Sequence, residues 1–182
     1  LPVTAETAPH YFSLTDEKIS GYNTDYKMNP PLRSSKDQEA VRQGLADGTI
    51  DVIATDHAPH SPLEKDLEFS SAANGIIGLE TALPLVLKLV EDNVITIESL
   101  VDRLSKNPAR ILGLQSGLAE GNPADITVID PGLSHTINAD FFFSKSRNTP
   151  FNGWQVKGKA LLTVVGGRIV FDELTNGNSL QA

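Results

Sequence analysis

The chain has 182 residues, with 15 Lys+Arg against 23 Asp+Glu for a net charge of −8, no Cys, a single Met and 40% hydrophobic residues. That length buries roughly 70% of its unfolded surface, as one domain or one plus a small appendage. The composition is ordinary for a globular protein and excludes wholesale disorder, disulfides, a thiolate metal site and a Cys nucleophile. The acidic balance argues against an electrostatic nucleic-acid binder, and no apolar run approaches the ~20 residues of a bilayer span. The absence of Cys fits a cytoplasmic protein. The chain begins Leu1-Pro2-Val3-Thr4, without an initiator Met or a signal peptide, and its Met is Met28. The expectation is a trimmed start or a piece of something longer.

Leu1 to Glu6 reads as a buried strand, β-branched and bounded by Pro9. Ser13 to Tyr26 is a polar loop with one helical turn. Pro30-Pro31 stiffens the backbone and holds Asn29 out of the helical region. Ser35 is the expected N-cap, with Gln38 three residues on, of a helix closed by Gly48. Ile50 to Thr55 is a second strand, ending abruptly in Asp56-His57-Ala58-Pro59-His60. Strand, helix, strand is the pattern of a parallel α/β sheet. A polar loop from Ser61 to Ser71 leads to Asn74-Gly75 and a strongly apolar helix from Leu79 to Val90. Ile97 to Leu104 is another helix, followed by a short one capped by Asn107 with Pro108 at its first position. From Gly117 the character changes to short β segments, Ala124–Ile129 and Leu161–Val165, the latter turning at Gly166-Gly167 into Arg168–Phe171 as a hairpin. The chain therefore divides into an α/β part, 1–116, and a smaller β part, 117–182. The tail from Asn176 is expected to fray.

Asp56 and His60 carry the strongest chemical signal. They lie just past the C-terminal end of an apolar strand, where parallel α/β folds collect reactive groups. An Asp there can bind a metal or take a proton from water, and a His four residues later can donate a hydrogen bond to an anionic substrate. The plainer alternative is a turn-capping Asp and a solvated His. His57 is expected to point away and support its neighbours by hydrogen bonding. His10, at the same kind of strand edge, is taken as a structural residue, and His135 as uninvolved. Asn29 is a turn former or an amide that both donates to and accepts from a substrate. Asn74-Gly75 offers backbone groups at a helix start. Arg33 pairs with Asp37 or Glu39. Trp154 and Phe141-Phe142-Phe143 belong to core or interface. No P-loop, dinucleotide fingerprint or nucleophile elbow is present in the sequence.

Taken together, Val3-Thr4-Ala5-Glu6-Thr7-Ala8-Pro9-His10, Lys27-Met28-Asn29-Pro30-Pro31-Leu32-Arg33 and Ile53-Ala54-Thr55-Asp56-His57-Ala58-Pro59-His60 resemble the C-terminal portion of bacterial-type dihydroorotases of the amidohydrolase superfamily. Ala73-Asn74-Gly75-Ile76-Ile77-Gly78-Leu79-Glu80-Thr81, Asn107-Pro108-Ala109-Arg110, Gly121-x-x-Ala124-Asp125-Ile126 and Ser146-x-x-x-Pro150-Phe151-x-Gly153 extend the likeness over residues 2–173. The resemblance implies a (β/α)₈ TIM-type barrel, here its seventh and eighth strands with their helices, plus part of a small β-sandwich. It implies reversible cyclisation of N-carbamoyl-L-aspartate to L-dihydroorotate in pyrimidine biosynthesis, with one or two zinc ions. By motif, Asp56 is the metal ligand and general base, His60 and Asn29 hold the substrate, and Asn74 and Gly75 contact it through the backbone. His10 matches no zinc ligand of the family. The implied partners are a small-molecule substrate, a second copy in a homodimer, and aspartate carbamoyltransferase. The family's His-x-His and its other metal-ligating residues have no counterpart here, and one carboxylate falls short of the three protein ligands of a catalytic zinc. The 182-residue chain alone is therefore expected to be inactive, without tight zinc and with exposed sheet edges and apolar faces. A hydantoinase- or allantoinase-type cyclic amidase, and a non-catalytic dihydroorotase-like subunit scaffolding aspartate carbamoyltransferase, are the alternatives.

Overall fold

The computed structural model describes residues 2–175. The expected frayed tail, 176–182, lies outside the described residues.

The first layer is a parallel pair of very short strands, β1 (Glu6–Thr7) and β2 (Val52–Ile53), in register Glu6↔Val52 and Thr7↔Ile53. The first strand is shorter and wetter than its β-branched composition implies. Val3 is 76% exposed, and burial begins at Thr7. The pairing with β2 covers only the end of the segment, and residues 2–5 stay exposed.

The crossover between the strands runs through α1 (Pro9–Ser13), two 3₁₀ turns (Asp16–Ile19 and Thr24–Tyr26) and α2 (Ser35–Asp47). The cap of α2 is Ser34, not Ser35. The Ser34 hydroxyl accepts from the Asp37 N–H at 3.3 Å while the Asp37 carboxylate accepts from the Ser34 N–H at 3.2 Å. Asp37 at the third helical position thus does the work expected of Gln38, because the cap itself lies one residue earlier. Gly48, at φ 86°, ends the helix. Arg33 pairs with Asp37 at 3.8 Å, as one of its two expected partners.

Past β2 comes a helical turn, α3 (Pro62–Lys65), inside the segment read as loop. The next helix, α4 (Ala82–Glu91), buries Ala82, Pro84, Leu85, Val86, Leu87 and Leu89, nearly its whole circumference. A helix apolar all round is covered on two sides. Here one side meets α1 and the other meets the β part. Helices α5 (Ile97–Val101) and α6 (Asn107–Leu112) are joined without a break by a π-helical turn, Asp102–Lys106. Asn107 therefore does not cap a new helix. Its side-chain amide donates to the Asp51 carbonyl at 2.8 Å and ties this run to the start of β2.

The β part is an antiparallel sheet in the order β3 (Ile126–Thr136), β4 (Gln155–Val165), β5 (Arg168–Asp172). Both long strands extend further than their apolar cores suggest. Strand β3 runs past Pro131-Gly132 because a register shift between Asp130 and Ser134 absorbs that irregular pair. The β4–β5 turn uses Gly166 and Gly167 at φ 55° and 77°, the sign a two-residue hairpin of this type requires. The sheet packs on α4 through β4. A single hydrophobic cluster contains Phe12, Leu45, Ile53, Ile76, Val86 and Leu89 from the α/β part together with Ile137 and Phe151 from the β part. Trp154 packs against it, edge-on to Phe151 at 5.0 Å between centroids. Phe141 and Phe143 do not join this core; each is 84% exposed. Among the described residues no helix is long and apolar enough to cross a membrane.

Candidate active site

The end of β2 sets the first half of the site. Asp56 stands just beyond the strand at φ +49°, a left-handed conformation that a residue with a Cβ adopts at a cost of about 1 kcal/mol or more. Its carboxylate is about half exposed (49%), and Oδ2 lies 3.6 Å from Nε2 of His10. His10 sits on α1, directly after β1, and is 1% exposed. Its Nε2 has no hydrogen-bond partner. Burial lowers its pKa to about 4, against the opposing pull of the Asp56 charge. Tyr11, the next residue, donates its hydroxyl to the Pro30 carbonyl at 2.8 Å. Burial, reinforced by Asp56, pushes its phenol up to about 12. Asp56 and Tyr11, but not His10, line a cavity of about 460 Å³ together with Asn29, Arg33 and Glu6. The Asn29–Pro30 peptide at its wall is cis.

The second half is assembled by the loop after Asp56. Nε2 of His60 is 2.9 Å from the Asn74 carbonyl, and Nδ1 is 3.5 Å from Glu64. Asn74 and Gly75 do not open a helix. They precede Ile76, which bridges in parallel with His57, and the helix starts only at Ala82. The backbone of Gly75 is fully used: its N–H donates to the Lys27 carbonyl at 2.9 Å, and its carbonyl accepts from Lys65 and Asn148, each at 3.1 Å. Lys65 is buried, and desolvation lowers its pKa while Asp25 opposes that shift. Together, Lys27 and Lys65 hold the loop before Asn74 by donating to the Ser70, Ala72 and Ala73 carbonyls. His57 turns away, as expected. Its Nδ1 accepts from the N–H groups of Gly78 and Leu79 at 3.1 and 3.3 Å, which puts the ring proton on Nε2.

The structure thus gathers Asp56 and Asn29 at one cavity and His60, Asn74 and Gly75 in a second cluster. The segments 27–29 and 56–60 connect them. His135, on β3, is remote from both, paired with Val156 across the sheet. His10 is the residue that sequence reasoning undervalued. The available signal was its position after β1, at the same sheet edge as Asp56. Tyr11 and Lys65 carried no recognisable pattern, and Lys27 and Asn148 lay within motifs that gave them no individual role.

Among the described residues no group of three or more His, Asp or Glu side chains is arranged to hold a metal ion. Asp56 offers a carboxylate of suitable chemistry, half open to solvent, so the chain fits a metal as the source of one ligand rather than of a whole site.

A family model described as the amidohydrolase family matches residues 10–170, and the chain belongs to that family. Its fold is accordingly of the α/β TIM-barrel type, and the family is generally metal-dependent. Among curated relatives, the chain is 64% identical over 169 residues to a dihydroorotase of Desulforapulum autotrophicum and 60% identical over 170 residues to one of Geobacter metallireducens. Each alignment covers 93% of this chain but 40% of the relative, so the chain spans about two fifths of the length of the curated relatives it matches. Among solved structures, the L-hydantoinase (dihydropyrimidinase) of Arthrobacter aurescens superposes with a TM-score of 0.89 at 30% identity, over 94% of this chain and 40% of that one. The inactive dihydroorotase-like domain of the Chaetomium thermophilum CAD-like multifunctional protein shares the fold at a TM-score of 0.67 and 21% identity, over 95% of this chain and 45% of that one.

Proposed function

We propose that the protein containing this chain is a dihydroorotase, catalysing the reversible cyclisation of N-carbamoyl-L-aspartate to L-dihydroorotate. The observation that carries the reading is the 64% identity to a curated dihydroorotase, over a stretch that includes Asn29, Asp56, His60 and Asn74. The identity to the hydantoinase structure is 30%. In this reading residues 1–116 contribute strands seven and eight of the barrel with their helices, and 117–182 contribute part of a β-sandwich.

Asp56 is the general base and one metal ligand, its companion ligands coming from outside this chain. Zinc, as one or two ions, supplies polarisation of the amide carbonyl and an acidified water. In hydrolysis the Asp56 carboxylate takes a proton from the attacking water and returns it to the ring nitrogen as the C–N bond breaks. In cyclisation the same proton moves the other way. The amide of Asn29 donates to the substrate carboxylate, and His60 donates its Nε2–H there in exchange for the Asn74 carbonyl that holds the ring when substrate is absent. Gly75, with its hydrogen bonds spent, contributes close approach rather than a free donor. The same reading places the protein in the cytoplasm, as a homodimer, with aspartate carbamoyltransferase as a partner. The scaffold alternative is disfavoured by the retention of Asp56, Asn29 and His60.

The test is turnover by the intact protein of dihydroorotate against 5-substituted hydantoins and allantoin. Preferential dihydroorotate hydrolysis is expected. Preferential hydantoin or allantoin turnover, or none with any of them, overturns the reading.

A further inference from the structure

The motif Ser146-x-x-x-Pro150-Phe151-x-Gly153 has no part in the chemistry above, yet its Asn148 reaches both substrate-binding loops. Asn148 is 5% exposed. Its Nδ2 donates to the Ala58 carbonyl at 2.9 Å and to the Gly75 carbonyl at 3.1 Å. Its Oδ1 accepts from the His60 N–H at 3.3 Å, and its own carbonyl accepts from the Ile77 N–H at 3.0 Å. We propose that Asn148 is a positioning residue that sets the His60 loop and the Asn74-Gly75 loop against each other. This inference rests on the dihydroorotase reading for the substrate, but not for the geometry.

Three features support it. First, the ring of contacts is closed: Asn148 joins Ala58 and His60 to Gly75, and the His60 imidazole joins Asn74 on the far side at 2.9 Å. A displacement of one loop is therefore passed to the other. Second, the amide orientation is dictated. Turning it over would face its oxygen to two carbonyls and its NH₂ to an N–H. Third, the residue is mounted on the core. Thr149 and Phe151 are buried on either side of Pro150, and Phe151 packs on Trp154. Asn148 does not line the cavity holding Asp56, so it acts through His60, Asn74 and Gly75 and not on the reacting atoms. Only an amide of this length meets two carbonyls and one N–H together. Aspartate has the shape but lacks both donors, and its charge would face the two carbonyl oxygens.

The experiment compares wild type, Asn148→Ser and Asn148→Asp in the protein that contains this chain. It measures KM and kcat for dihydroorotate, bound metal by elemental analysis, and amide hydrogen exchange of the 58–60 and 73–77 segments. Substrate held less well in ground and transition states alike raises KM and spares kcat. The expected result is a KM increase of about 10–100-fold, larger in Asn148→Asp, with kcat within about threefold and metal content unchanged. Exchange in both segments should accelerate together. An unchanged KM with unchanged exchange overturns the proposal. So does a fall in kcat and metal content together, which would place the effect at Asp56. Failure of the Ser variant as well as the Asp variant to fold also overturns it, leaving Asn148 a purely structural role. Absence of dihydroorotate turnover by the wild type refutes the functional reading instead, and the exchange measurement then decides the loop-positioning claim alone.

Discussion

Replacing Gly75 by Ala puts the placement of the substrate loop to a quantitative test. Gly75 has φ +116°, a conformation that L side chains rarely adopt, at a cost of about 1–3 kcal/mol. A Cβ built there lies 2.5 Å from the Ala58 Cβ and 3.6 Å from Nε2 of His60. Two carbon atoms at ordinary contact need about 1 Å more, and overpacking of that kind costs about 1–3 kcal/mol. The two costs together amount to about 2–6 kcal/mol, less a few tenths for the stiffer unfolded chain. At about 2–4 °C per kcal/mol for a protein of this size, this lowers Tm by about 4–24 °C. The strain falls on Ala58, in the loop that carries His60, so KM for dihydroorotate should rise about tenfold or more. Scanning calorimetry and steady-state kinetics read both effects. The control is Gly132→Ala, where the nearest atom to an added Cβ is an Asp130 oxygen at 3.5 Å and no positive φ is required. A Gly75→Ala protein with the Tm and KM of the control would refute the close approach of the two loops.

Lys65→Met keeps the aliphatic stem but leaves the Ala73 carbonyl without its ammonium partner and takes one of two from Gly75. A stability loss of about 1–3 kcal/mol is expected by denaturant titration, accompanied by a raised KM. Asp92→Asn breaks the pairing of Asp92 with Lys88 at 2.6 Å and Arg42 at 2.9 Å, which ties α4 to α2. The hydrogen bond from Lys88, with Arg42 adding to it, holds the Asp92 carboxyl below its ordinary value of 3.8. A carboxyl lowered in the folded state stabilises above its unfolded pKa, and the contribution fades as pH falls through the folded value. At pH 7 the variant should be less stable by about 1 kcal/mol, given partial solvent screening. The gap should close in strong acid. A gap that persists unchanged at pH 2 would refute the ionic origin.

The elements whose signal is local were legible in the sequence. The apolar run of α4, the Gly166-Gly167 hairpin and the helix from 35 onward follow from composition, spacing and turn chemistry. The motif around Asp56 marked a strand edge correctly. What escaped reading depended on partners far along the chain. The limited burial of residues 2–5 depends on how little of that segment meets β2. Asn107 is a good cap by type, but the preceding helix continues through a π turn and frees its side chain for Asp51. Asn74-Gly75 looked like a helix start, whereas Gly75 donates to the Lys27 carbonyl and accepts from Lys65 and Asn148, which holds the pair out of the helix beside His57. His10 shares a sheet edge with Asp56, but their 3.6 Å approach depends on the whole crossover between them.

Asp56→Asn in the protein that contains this chain tests the central claim most directly. The change preserves the side-chain shape beside His10 and removes the proton-accepting charge. Dihydroorotate turnover should fall by about 10²–10⁴-fold, with metal content reduced and the thermal transition nearly unmoved. Turnover within a few-fold of wild type would contradict the assignment of Asp56 as general base.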